Sequence, residues 1–163
     1  MSATWAEFVA EAPAIAKIFT RRHRATGSLC LLATTRSDGF PRISPMEPRI
    51  FEGELWLPGM PGTTKFADLL RDPRFCLHTA TVDTRLADGD AKLWGLAHEC
   101  ADGARRERFV EDLVEDTGLD LRGEEFAFFG TKITGASAIE LRDERLDVTV
   151  WKPGHPERVV PKH

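Results

Sequence analysis

The chain has 163 residues, of which 42% are hydrophobic and 29% charged, and its formal net charge is −4. This length fits one domain of ~100–200 residues, and the composition is that of a globular protein rather than a disordered or fibrous one. The acidic balance disfavours nucleic-acid binding, which usually shows a basic surplus. No stretch approaches the ~18 consecutive apolar residues of a membrane span, and the acidic first residues disfavour a secretory signal.

The three cysteines indicate a reducing compartment. Cys30, Cys76 and Cys100 lie in apolar segments and cannot all pair within one chain. Reduced, buried thiols are typical of cytoplasmic proteins, so we expect a cytoplasmic location.

Residues 1–25 are predicted to be helical and to pack on a single domain formed by residues 26–163. Thr4 and Glu7 have the spacing of a capping box. Because proline removes a helical hydrogen-bond donor, Pro13 is expected to divide the segment into two short helices.

Strand patterns follow the helical segment. Residues 28–35 predict a buried strand, residues 36–39 a turn, residues 42–50 a second strand and residues 55–57 a third. Pro45 and Pro48 exclude central pairing on their N–H side. We expect these three strands to form an antiparallel meander.

The rest of the chain predicts two more helices and further short strands. One helix begins at Thr63 or Thr64 and ends before Pro73, and the other follows Asp102 and ends at Gly118. The predicted strands span residues 75–81, 92–100, 136–141 and 146–151, a polar loop covers residues 83–90, and residues 153–156 are expected to be a loose terminus. This pattern favours a mainly β (α+β) fold, a closed or nearly closed antiparallel barrel with short flanking helices.

The segment from residue 58 to residue 65 is a candidate anion site, because it leaves a strand and opens a helix. The first turn of a helix has free N–H groups and a partial positive charge, and both suit a phosphate. Thr63 and Thr64 add hydroxyl groups, and Lys65 adds a charge. The alternative is that Thr63 only caps the helix and Lys65 is solvated.

Arg42 is the second candidate for anion binding. It lies two residues before Ser44, so both side chains project from one face of a strand. In the predicted meander this strand lies beside residues 55–57, which would bring Arg42 close to Lys65. Arginine offers a bidentate fork to phosphate. The alternative is that Arg42 pairs with a nearby carboxylate.

The order of these features resembles the pyridoxamine 5'-phosphate oxidase-like family of FMN-binding split β-barrels. The resemblance covers about residues 26–151 and includes the runs Pro41-Arg42-Ile43-Ser44, Gly62-Thr63-Thr64-Lys65 and Leu70-Arg71-Asp72-Pro73-Arg74-Phe75. A strand with a central glycine, Lys92-Leu93-Trp94-Gly95-Leu96-Ala97, also matches the family pattern.

The resemblance implies a homodimer with FMN sites at the subunit interface and a small-molecule substrate. The phosphate would be held by Arg42, Thr63, Thr64 and Lys65. Ile43 and Ser44 would face the flavin ring, and the same wall would be lined by Leu57, Pro58 and Gly59. Trp94 or Trp151 could reach the site from either subunit. The implied activity is that of an FMN-dependent oxidoreductase.

Two departures from the family pattern bear on cofactor and substrate. The usual Arg-Lys pair of the loop is Thr64-Lys65 here, which leaves FMN and a deazaflavin coenzyme as alternatives. The Arg-x-His substrate motif is missing from residues 146–163, so we do not expect activity on pyridoxine phosphate. A non-catalytic module that binds flavin or haem is a further alternative.

Other chemistries are disfavoured. Cys76-x-His78 and His98-x-Cys100 resemble a zinc set, but in the predicted hairpin His78 opposes Trp94, so the two pairs lie too far apart for one ion. The serines lack the Gly-x-Ser-x-Gly pattern of a nucleophile elbow. The apolar run that contains Phe126, Phe128 and Phe129 could cover a pocket or belong to the core. No catalytic acid or base is assigned.

Overall fold

The computed structural model describes residues 1–80 and 85–162. These residues form four helices and nine strands. The helices are α1 (Trp5–Glu11), α2 (Pro13–Ala25), α3 (Thr64–Arg71) and α4 (Gly103–Thr117). The strands are β1 (Cys30–Thr35), β2 (Pro41–Met46), β3 (Arg49–Phe51), β4 (Glu54–Gly59), β5 (Arg74–Thr79), β6 (Asp90–Glu99), β7 (Ala127–Arg142), β8 (Arg145–Trp151) and β9 (Arg158–Lys162).

Local sequence signals explain where three of the helices begin and end. Thr4 and Glu7 form the predicted capping box of α1, and Pro13 opens α2 as its first residue. The side chain of Asp102 accepts a hydrogen bond from the N–H of Arg105 at the start of α4. Gly118 ends α4 in the left-handed conformation, which glycine adopts without a steric penalty.

The strands form an antiparallel, unclosed sheet, as expected for a split barrel. The hydrogen-bonded path runs β2-β1-β5-β6-β7-β4-β3, and β8 and β9 extend it from β7. The two ends of the path, β2 and β3, follow each other in the chain and are separated by Glu47 and Pro48 alone. The sheet therefore curves round until its two edges meet at this connection. The α+β split barrel predicted from the sequence is confirmed.

The predicted meander over residues 28–57 is wrong. Strand β2 pairs with β1, but β4 pairs with β3 and β7 and has no ladder with β2. The predicted second strand is two strands, because Pro48 has no N–H with which to continue the ladder. As expected from its prolines, β2 lies at an edge of the path.

The core lies on the inner face of the barrel. One row of directly paired residues crosses six strands and shows how this face is built: Ser44, Leu32, Leu77, Leu93, Ala136 and Trp151. The N-terminal helices cover it with Phe8 and Phe19, which are fully buried. A second apolar cluster, with Phe109 and Phe128, lies beneath α4.

The chain continues into strand β9, so the predicted loose terminus at residues 153–156 is instead a connection between β8 and β9. Val159 and Val160 pair with Thr149 and Val148 of β8. β-Branched residues suit such an edge position. The predicted strand end at Thr81 and loop start at Asp83 lie outside the described residues. Among the described helices, none has both the length and the apolar character that a membrane crossing requires.

Candidate functional site

Arg42 is held against helix α3 by a buried carboxylate. Its Nε donates to Oδ2 of Asp68 over 2.6 Å. The side chain of Asp68 is 4% exposed and that of Arg42 is 29% exposed. The alternative in which Arg42 pairs with a carboxylate is therefore observed, but that carboxylate belongs to the helix predicted to hold the anion.

Asp68 also accepts hydrogen bonds from two further groups. The Thr34 hydroxyl donates to Oδ2 over 2.8 Å, and an Nη of Arg71 donates to Oδ1 over 3.1 Å. Burial raises the pKa of Asp68, but the hydrogen bonds from Arg42, Thr34 and Arg71 outweigh this effect. The pKa of the carboxyl therefore lies below its ordinary value. An ionised Asp68 thus joins β1, β2 and α3.

The two Nη groups of Arg42 remain available to a ligand. Only Nε is used by Asp68, and no other described residue accepts a hydrogen bond from this guanidinium. Because the side chain is partly exposed, the two Nη groups can donate to an anion while Nε stays bonded. A guanidinium held in this way is pre-oriented for the planar, two-point recognition of a phosphate.

The beginning of α3 lacks a side-chain cap. Thr63 occupies the N-cap position, but its hydroxyl makes no cap hydrogen bond, whereas α1 and α4 are both capped. The N–H groups of Thr64 and Lys65 therefore have no partner among the described residues, whereas the N–H of Phe66 donates to the Thr63 carbonyl over 3.2 Å. Thr64 is exposed and Lys65 is half-buried at this end. These groups form a polar, positive helix terminus.

Arg42 and the start of α3 come together through Asp68 rather than through strand pairing. Thr64 and Lys65 precede Asp68 by four and three residues, spacings that put the side chains on one helix face. Asp68 therefore holds Arg42 on the face of α3 that carries Lys65, about one turn (~5.4 Å) along the helix. The hydrogen bond to Asp68 therefore brings Arg42 to α3 by a route the meander did not describe. The convergence of Arg42 with Thr64 and Lys65 on one ligand stays a prediction, and the Lys65 ammonium lies over the Phe66 ring, 5.6 Å from its centroid.

Two glycines of the loop have structural explanations. A Cβ on Gly59 would lie 2.8 Å from the Phe66 ring, so glycine lets α3 pack closely on the end of β4. Gly62 has a φ of +73°, a conformation that other residues rarely adopt. Within this chain both glycines therefore shape the loop.

The other residues predicted to line the flavin ring differ in accessibility. Ile43 is exposed and Ser44 is half-buried on β2. Pro58 and Gly59 border a groove of about 760 Å³. Leu57 is fully buried in the main core, so its side chain does not reach a surface of this chain. Thr63 lies on the helix face opposite Asp68, beside a different cavity.

Trp94 and Trp151 lie together, away from Arg42. Both line a cavity of about 640 Å³. Ile43 pairs with Ala33, Ala33 with Cys76, and Cys76 with Trp94. The backbones of Ile43 and Trp94 are therefore three strand spacings apart, about 14 Å at ~4.8 Å per strand. Trp151 packs on Phe8 and donates its indole N–H to Glu11. The Trp151 side chain is therefore part of the hydrophobic core of its own chain.

The aromatic run at the start of β7 is divided between core and surface. Phe128 and Phe129 are buried, and each stacks on another ring, Phe128 on Trp56 and Phe129 on Phe66. Phe126 is half-buried and borders the groove of about 760 Å³.

The histidine and cysteine pairs are separated in the sheet. His78 opposes Lys92 rather than the expected Trp94, and His98 lies six residues further along β6. In residues 1–80 and 85–162, no three His, Cys, Asp or Glu side chains are grouped to hold a metal ion.

Asp68 is the site residue that sequence reasoning missed. Its position was included in the predicted helix, but only its apolar neighbours were considered. A signal was present, because a carboxylate on the face that also carries Lys65 and Arg71 has the spacing of helical ion pairs. Its strand partners, Arg42 and Thr34, are far away in the sequence.

Comparison with known proteins identifies the family. A family model described as pyridoxamine 5'-phosphate oxidase matches residues 6–147. No curated protein sequence matches the chain.

Three solved structures share the fold. A pyridoxamine 5'-phosphate oxidase-related, FMN-binding protein from Nostoc punctiforme has a TM-score of 0.67 and 13% identity, covering 93% of this chain and 95% of its own. A Clostridium acetobutylicum protein of the pyridoxinephosphate oxidase family, related to general stress protein 26, has a TM-score of 0.61 and 14% identity. The match covers 82% of this chain and 92% of that protein. The haem storage protein HutZ from Vibrio cholerae has a TM-score of 0.60 and 15% identity. The match covers 76% of this chain and 91% of HutZ. These low identities support the fold alone. The match of the family model over most of the sequence shows that this chain belongs to the pyridoxamine 5'-phosphate oxidase family.

Proposed function

We propose that this protein is an FMN-dependent oxidoreductase that acts on a small organic substrate. The observation that carries the proposal is the Nη pair of Arg42, which no described residue uses and which is held by Asp68 of α3, a helix whose start has no side-chain cap. Both elements favour a phosphate monoester, the one through charge-assisted hydrogen bonds and the other through free N–H groups.

The charge balance of the site supports an anionic ligand. Arg42 and Arg71 both pair with the single carboxylate of Asp68, so this group of three side chains keeps a net positive charge. Thr64 contributes a hydroxyl where the family pattern has a second cation. The FMN-binding protein from Nostoc punctiforme has the same fold, which adds support for FMN.

Bound FMN would supply the hydride chemistry itself, so no catalytic acid or base is required of the protein. The residues of this chain would bind and orient the cofactor. Arg42, Thr64 and Lys65 would hold the phosphate, and the β2 residues Ile43 and Ser44 would lie beside the ring. Because the Arg-x-His motif is missing from residues 146–163, the substrate would differ from pyridoxine phosphate.

A homodimer is part of the proposal. Leu31, Ala33, Ile43 and Pro45 lie on the outer face of β1 and β2, in directly opposed pairs. Leu31 and Ile43 are exposed, and so is the neighbouring Phe40. An exposed apolar strip on a sheet typically marks an interface. A second copy that covers this strip would lie next to Arg42, which agrees with a cofactor site shared between subunits.

A non-catalytic binding module is the second candidate function. The observation that favours it is the shared fold of the haem storage protein HutZ. A deazaflavin-dependent reductase is a close variant of the first candidate, because Thr64 leaves the phosphate site with one cation fewer.

The visible absorption spectrum of freshly purified protein, followed by titration with FMN, tests the proposal. We expect a flavin spectrum or saturable FMN binding, and reduction of the bound flavin by NADH or NADPH followed by reoxidation with a substrate. A haem spectrum, or flavin that binds but is not turned over with any acceptor, would favour the binding module. Saturable binding of a deazaflavin without binding of FMN would select the reductase.

A further inference from the structure

A groove at the end of β4 has the size of a small-molecule site. It lies between the β4 end and the C-terminal half of α4, and its volume is about 760 Å³. Its apolar walls are formed by Pro58, Met60, Pro61, Leu113, Leu119 and Phe126. Small-molecule pockets are mostly apolar and occupy ~300–1,000 Å³, so one organic molecule of moderate size fits the groove.

The rim of the groove carries excess negative charge. Arg49, its only lysine or arginine among the described lining residues, forms an ion pair with Asp116. Glu47, Glu124 and Glu125 also line the groove and are exposed. No ion pair between described residues neutralises these three carboxylates.

We propose that this groove binds a small organic cation with an apolar body. The apolar walls would bury the body of the ligand, and the three unpaired carboxylates would attract its charge. An anion of the same shape would be repelled, because unneutralised charges of one sign around a concave apolar surface create a field of that sign. The groove and the Arg42 site therefore select ligands of opposite charge.

The inference goes beyond the proposed function, because binding of a cation requires no flavin. Pro58 and Gly59 border the groove and also belong to the wall predicted to line the cofactor. A cation in the groove would therefore adjoin that wall. Failure of FMN binding leaves this inference standing, and failure of cation binding leaves the FMN proposal standing.

Two probes with the same carbon skeleton test the inference. Isothermal titration calorimetry compares phenylbutylammonium with phenylbutanoate, with and without FMN. We expect the cation to bind about tenfold more tightly, as three partly screened charge contacts would produce, and its affinity to fall as salt is raised. Amide chemical shifts should change at Gly59, Leu119 and Leu121, which line the groove.

Charge-reversal variants make the test decisive. In the double variant Glu124→Lys/Glu125→Lys, we expect the preference to reverse in favour of phenylbutanoate. The control Glu107→Lys/Glu115→Lys makes the same net charge change on exposed α4 residues outside the groove and should leave the preference unchanged. Equal binding of both probes, no binding of the cation, shifts elsewhere on the protein, or an equal response of both variants would overturn the inference.

Discussion

The 2.6 Å hydrogen bond from Nε of Arg42 to Oδ2 of Asp68 connects an edge strand of the barrel to the helix that follows the glycine loop. Strand β2 has no ladder with β4, the strand that leads into α3, and this hydrogen bond is what joins β2 to the helix. Because the bond uses Nε, it orients the guanidinium and leaves both Nη groups unused by described residues. The same contact therefore holds the fold together at this edge and prepares the anion site.

Replacing Asp68 should destabilise the protein. In Asp68→Asn, the guanidinium of Arg42 and the side chains of Thr34 and Arg71 lose an ionised acceptor. Breaking one side of such a buried pair costs roughly 2–4 kcal/mol of unfolding free energy. Urea unfolding measures the loss, and Asp38→Asn, which affects the exposed pair with Arg36, is the control with an expected change below ~0.5 kcal/mol.

The same variant has a defined pH dependence. The pKa of Asp68 is lower in the folded chain than in the unfolded one. Its contribution to stability is therefore complete above the unfolded pKa of ~3.9, and it is lost as the pH falls through the folded pKa. The difference between wild type and Asp68→Asn should shrink below about pH 3.9. A difference that grows with acidification would contradict the assignment.

Adding a methyl group at Gly59 should disturb the packing of α3. The new Cβ would lie 2.8 Å from the Phe66 ring, and Phe66 stacks on Phe129, so it has little room to move. We expect Gly59→Ala to cost about 1–3 kcal/mol of stability, the typical cost of overpacking. Gly103→Ala is the matched control, because nothing lies within 4 Å of its Cβ. Equal effects of both substitutions on the urea midpoint would argue against this packing.

The thiol of Cys30 should be inert in the folded protein. Burial raises the pKa of Cys30 to about 12, so its reactive thiolate is scarce at pH 8. We expect a thiol-specific disulfide reagent to label Cys30 only after unfolding. Since the neutral thiol is favoured in the fold, its contribution to stability should decline as the pH rises above the unfolded thiol pKa of ~8.5. Fast labelling of Cys30 under native conditions would place β1 outside the core.

A charge on the outer face of β2 should abolish the proposed dimer. Ile43 is 71% exposed in one chain, and burying aspartate at an apolar interface is strongly unfavourable. Ile43→Asp should sediment as a monomer at concentrations where the wild type is dimeric. Val159→Asp is the control, since Val159 is 57% exposed on a different strand. A wild type that is monomeric throughout would contradict this part of the proposal.

Features set by neighbouring residues could be predicted from the sequence. The capping box of Thr4 and Glu7, the helix start at Pro13 and the ends of α4 at Asp102 and Gly118 depend on contacts within one turn. The edge position of β2 followed from its prolines. The family resemblance supplied the split barrel.

Features that depend on distant parts of the chain could not be predicted. Whether β4 pairs with β2 or with β7 is decided by packing of the whole barrel, and an alternating pattern fits either partner equally well. Val159 and Val160 form a strand because β8 offers them an edge. Asp68 required knowledge that Arg42 and Thr34 lie above α3, a contact across 26 residues and 34 residues of sequence.

The proposed function requires recognition of a phosphate by Arg42 and the start of α3. Comparing the affinities for FMN and riboflavin, which differ only by that phosphate, tests it most directly. We predict that the wild type prefers FMN and that Arg42→Ala lowers FMN affinity by about ten- to a hundredfold while riboflavin affinity stays unchanged. Equal affinities of the wild type for both flavins, or an equal loss of both in Arg42→Ala, would show that this site does not recognise the phosphate.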